Sequence, residues 1–182
     1  MIEIFNKRNK ILVSLFALSF IVWIGGSLVR SIIAFSVYDP SSTQALIRQV
    51  SNDILMQSVY LFAASSSYTT PAFLVAFITA LLLIRPTKIY FKKEGWLMMS
   101  FILFFISAPI QLYLIYLDIQ LSIAVFWKGI WEFYSPTILN LFFERINNVL
   151  INSLSGISFL SNLTIIVLFV LQPLKKKEKI II

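Results

Sequence analysis

The chain has 182 residues, 59% hydrophobic and only 13% charged, with a mean hydropathy of +0.88 and a formal net charge of +7. A soluble globular domain is about a quarter charged, so a lipid bilayer, not water, is the natural solvent, and the length suits one membrane domain over 1–182. Cysteine and histidine are absent, which excludes disulfides, thiol chemistry, Cys/His zinc sites and His-ligated haem or copper, and no cofactor is expected.

The first long apolar run follows Lys7, Arg8 and Lys10 and predicts a spanning helix over about 11–35. It is too long for a signal-peptide core and no small-residue cleavage site follows it, so it reads as a retained helix. An outer amphipathic helix is expected over about 44–62. Leu46, Ile47, Val50 and Ile54 share one face there, with Arg48, Ser51 and Asn52 opposite.

The second span is expected over about 68–85, entered through the polar string "SSSYTTP", and the third over about 96–117. A second outer amphipathic helix is expected over about 137–153, where Asn140, Glu144, Asn147, Asn148 and Asn152 recur at helical spacing. The fourth span covers about 154–172. The expected fold is therefore all-α integral membrane, with four transmembrane helices and two outer amphipathic helices. "VYDP" (37–40) echoes "FYSP" (133–136), and "LLLIRPTK" echoes "LFVLQPLKK", which suggests two parallel two-span repeats.

Basic residues orient the spans. Lys7, Arg8, Lys10, Arg85, Lys88, Lys92, Lys93 and the "LKKKEK" tail fall on one side, against Arg48, Lys128 and Arg145 on the other. The positive-inside rule then puts both termini in the cytoplasm. The charge has this topological explanation, so nucleic acid is not an expected partner. Trp96, Trp127 and Trp131 read as interfacial anchors.

Arg30 lies twenty residues beyond Lys10, about 30 Å along a helix and so at the outer edge of the hydrocarbon core. The simpler reading is an arginine snorkelling to the headgroups. The sharper one gives it a partner. Asp118 reaches the same level on the third span, Gln111 lies two turns deeper past Pro109, and Asp39 is near in sequence. Such a cluster either pairs helices or receives an anionic or zwitterionic ligand, and helix packing is the expected role. Gly25 and Gly26 read as a small-residue surface where another helix approaches.

The "WIGG" string in the first helix resembles the first helix of copper-resistance-D-type four-helix membrane proteins. That family's helices carry histidines. This chain has none, so the resemblance implies the helical fold and no metal role.

No base stands near Ser65, Ser66 or Ser67 to activate a nucleophile. The acidic residues fall at or beyond the expected span ends, unlike the buried carboxylate of a proton-coupled carrier. No phosphate-cradling glycine loop is present. An enzyme is therefore not expected. The leading expectation is a non-enzymatic subunit or assembly partner of a membrane complex, in contact with membrane lipids and with another membrane protein or a second copy. The alternative is a small transporter or lipophilic-ligand binder with an outer polar mouth. The Ile-, Lys- and Asn-rich usage suits a bacterial inner membrane.

Overall fold

The structure, a computed structural model, describes residues 7–37, 51–88, 90–91, 94–127 and 135–173. Among these the chain forms five helices: α1 (Lys7–Phe35), α2 (Asn52–Thr87), α3 (Gly95–Trp127), α4 (Pro136–Asn147) and α5 (Val149–Leu171). All but α4 are long and apolar enough to cross a membrane. Backbone groups have no water to bond in hydrocarbon, so such segments close their hydrogen bonds internally. We call the end that carries Lys10 and Lys88 the basic end, and the opposite one the far end.

The second helix departs from expectation. Residues 52–62 are not a separate surface helix but the first third of α2, which runs 36 residues, about 54 Å. The serines that looked like a boundary do not break it, because their hydroxyls bond back to the helix. Ser65, Ser66 and Ser67 donate to the carbonyls of Phe62, Ala63 and Ala64 at 2.7, 2.6 and 2.7 Å, and Thr69 donates to Ser65 at 3.0 Å. Side-chain bonds of this kind let polar residues sit inside an apolar helix. Ser51 caps the start, and Pro71 is accommodated within. The rest of the expected 44–62 helix lies outside the described residues.

The third helix is also longer than expected. It continues through Pro109 and past Asp118 to Trp127, so Asp118 lies inside a helix rather than at its end. The expected 137–153 helix, by contrast, is split. Asn148 leaves helical geometry (φ −68°, ψ 112°), and its side chain accepts from the backbone N–H of Leu150 and Ile151. It closes α4 and caps α5, which therefore starts five residues before the expected fourth span. Gln172 ends α5 in the left-handed region at φ 44°. Thus α2 runs through Pro86 whereas α5 stops before Pro173, and the "VYDP" and "FYSP" strings lie mostly outside the described residues.

Helix α1 packs along α2, and α3 along α5; the pairs meet through α2 and α3, and α4 crosses the far end against α3 and α5. Extended backbone packing is absent between α1 and α5. Two apolar cores result. The far one gathers Val37, Met56, Val59, Phe62, Leu121 and Phe142. The other joins Phe20, Trp23, Phe73, Phe104 and Ile165, with the Trp23 and Phe73 rings 5.1 Å apart.

Gly26 makes the α1–α2 approach possible, because a Cβ there would lie 2.3 Å from Thr69 Cγ2 and 2.6 Å from Tyr68 Cε2. Gly25 faces open space. Trp96 is not an interfacial anchor. It is fully buried, donates to Glu94 Oε2 at 2.6 Å and packs edge-on against Phe169. Trp127 is 85% exposed, and Trp131 lies outside the described residues.

Candidate functional site

Arg30 does not snorkel. It is only 8% exposed, because the helix continues past it to Phe35 and the overhanging start of α2 screens it. Its Nη1 donates to Asp118 Oδ2 at 2.7 Å, and Nη2 stands 2.7 Å from Oδ1 in ionic contact without a hydrogen-bonding angle. The guanidinium carbon also sits 4.2 Å from the centre of the Phe62 ring, a cation–π contact that is strongest where water is excluded. Asp118 is 1% exposed.

A third residue, Arg145 of α4, completes the cluster. Its Nε donates to Asp118 Oδ1 at 3.1 Å, and its Nη1 donates to Ser155 Oγ of α5 at 3.2 Å. One carboxylate thus ties α1, α3 and α4 together, with α5 reached through Ser155. Burial pushes the Arg145 guanidinium below its ordinary pKa. The Asp118 charge pulls it back up, and the Arg30 charge adds to the lowering.

The sequence reading missed Arg145 because an arginine on a surface helix usually faces water. A signal was present nonetheless. Ile138, Phe142 and Arg145 recur at steps of four and three, so the arginine stands on the face of α4 whose Ile138, Phe142 and Ile146 are buried.

Ionising groups do not balance here. Among the described residues the cluster holds two guanidinium groups and one carboxylate. Arg30 Nε, also buried, has no hydrogen-bond partner. Asp39 lies outside the described residues. The cluster lines a cavity of about 210 Å³ at the far end, together with Trp23, Ser27, Phe62, Gln111 and Phe159.

Gln111 joins the cavity from below and accepts from Ser158 Oγ at 3.4 Å. The α3–α5 seam continues with Asn162, which donates to Ser107 Oγ at 3.1 Å and to the Ser158 carbonyl at 2.7 Å. Arg30, Asp118 and Gln111 therefore share one cavity. Gly26 lies on the α2 side of α1 and Gly25 on its open side, so neither joins the site.

In chemical terms the arrangement offers fixed, desolvated N–H donors and an excess positive charge to a group entering the cavity. It presents no nucleophile paired with a base. No protein-family model matches the chain, and neither the curated proteins nor the solved structures give a match, so the "WIGG" resemblance carries no argument.

Proposed function

We propose that the protein is a non-enzymatic, multi-pass protein of a bacterial inner membrane, with both termini cytoplasmic, that binds a small anionic ligand at an outward-facing mouth between its helices. The observation that carries this reading is the charge imbalance at an accessible cavity. Among the described residues the second guanidinium shares one buried carboxylate with the first, which is costly unless another anion balances it. Pairing α1 with α3 would need only Arg30 and Asp118; Arg145 adds the tie to α4 and α5 together with an unbalanced charge.

A second reading, the subunit or assembly partner, is favoured by α1 and α5. They cover less of their apolar surface within the chain than α2 and α3 do, so membrane lipids, another membrane protein or a second copy of this chain would cover the remainder.

Purification in mild detergent, followed by mass spectrometry of everything retained, separates the two. The ligand reading expects a lone protein or homo-oligomer carrying an anionic molecule that is lost from an Arg145→Gln variant which still folds. A stoichiometric protein partner, with no bound anion, would replace it with the subunit reading.

A further inference from the structure

The gap between α1 and α5 makes the site more than an anion pocket. Lining residues of the far-end cavity come from α1 (Trp23, Ser27, Arg30) and from α5 (Asn152, Ser155, Phe159), with α3 between them. Helices α1, α3 and α5, joined by Ala80, Leu83 and Thr87 of α2, line a second cavity of about 350 Å³ toward the basic end, through Val13 and Phe16, Phe101 and Phe104, Ile165 and Phe169. Both cavities thus have walls from α1 and α5 with α3 between, the charged one at the far end and the apolar one nearer the basic end, and Phe20, Trp23, Phe104 and Ile165 pack into one core beside them. Helices α1 and α5 do not pack along each other, which leaves the far cavity open between them. Gly156 of α5 lines the far cavity, is itself exposed, and has no heavy atom within 4 Å of where its Cβ would lie.

We infer, resting on the anion-binding reading above, that the ligand is an anionic acyl amphiphile. Its carboxylate or phosphate head meets Arg30 Nε and Arg145, and its chain enters sideways from the lipid through the α1–α5 gap. The geometry supplies each half of that ligand. Arg30 is more than nine-tenths buried and keeps an unpartnered donor, which suits a head that trades water for charge-assisted hydrogen bonds. Below it the lining turns aromatic with Trp23 and Phe159, which suits an alkyl chain. A free inorganic anion would use the head site but have no use for the gap. An amphiphile already dissolved in the bilayer arrives with its chain at the right depth.

The test uses the full chain in nanodiscs of zwitterionic lipid, with a photoactivatable palmitate as probe. Labelled peptides are mapped by mass spectrometry, and melting is followed separately with acetate and inorganic phosphate. Labelling is expected on α1 between Trp23 and Ala34 and on α5 near Phe159. Palmitate and hexadecyl phosphate should compete, and the better competitor assigns the head as carboxylate or phosphate. Counted by aqueous concentration, shortening the competing chain should weaken it by about fourfold for each methylene removed. Gly156→Phe fills open space, so it should fold and melt like the parent without ligand, yet lower labelling by about tenfold or more.

Hexadecanol competing as well as palmitate would overturn the role of the charged head. Unchanged labelling of Gly156→Phe would overturn the lateral gap. Stabilisation by acetate or phosphate without palmitate labelling would overturn the amphiphile while leaving the anion site standing. If short anions gave no stabilisation and palmitate no labelling, both readings would fall.

Discussion

Asp118 holds two arginines in place, and the cost of removing it follows from what is left behind. Asp118→Asn keeps the shape but leaves two buried guanidinium groups without a counter-charge. Unfolding stability in mild detergent should fall by about 3–5 kcal/mol. Exchanging Arg30 and Asp118 should restore little, because the exchanged pair leaves Arg145 facing a second arginine. Adding Arg145→Gln to the exchange should recover most of the loss. If the exchange alone restored full stability, Arg145 would be a bystander. That Arg30 and Asp118 reach a common level was readable from helix rise, since both residues lie about one bilayer thickness from the basic end of their helices; that their helices meet there was not. The third partner was not, because α4 contributes it and the packing of α4 is not written in its spacing from the spans.

Helix boundaries were the least legible feature, and the reason is local hydrogen bonding. In α2 a run of hydroxyls looked like a polar interruption, but each hydroxyl from Ser65 to Ser67 finds a carbonyl three residues back. Ser66 and Ser122 also meet across α2 and α3 at 2.6 Å, so the string joins helices rather than parting them. At 137–153 the apolar pattern is nearly continuous, and the break comes from one asparagine capping the next helix. Asn148→Ala should remove that cap and cost about 1 kcal/mol. It should also let α4 straighten toward α5 and draw Arg145 away from Asp118. Chemical denaturation of the variant, with helical content followed by circular dichroism, checks this. A variant as stable as the parent would mean that α4 is held by its buried Ile138, Phe142 and Ile146 alone.

The topology prediction concerns the entire chain, and the lack of cysteine makes it easy to read. Lys88→Cys and Asn140→Cys place single thiols at exposed positions, one at the basic end and one on α4. An impermeant thiol reagent added to intact cells should label the α4 position and reach the other only after lysis; the reverse pattern would overturn the orientation. Thr87 would be a poor choice for this, since it is buried against the bundle.

Long apolar runs and clustered lysines were enough to write four helices of spanning length, because hydropathy is a property of each segment and needs no partner. The same runs say nothing of which helix lies beside which, since every face of an apolar helix is acceptable to lipid. Folding made that choice. It set Gly26 rather than Gly25 against α2, buried Trp96 instead of leaving it at the interface, and brought Arg145 onto a carboxylate 27 residues earlier in the chain. It also left α1 and α5 without packing along each other, so the charged cluster lines a cavity with walls from both rather than a closed helix pair.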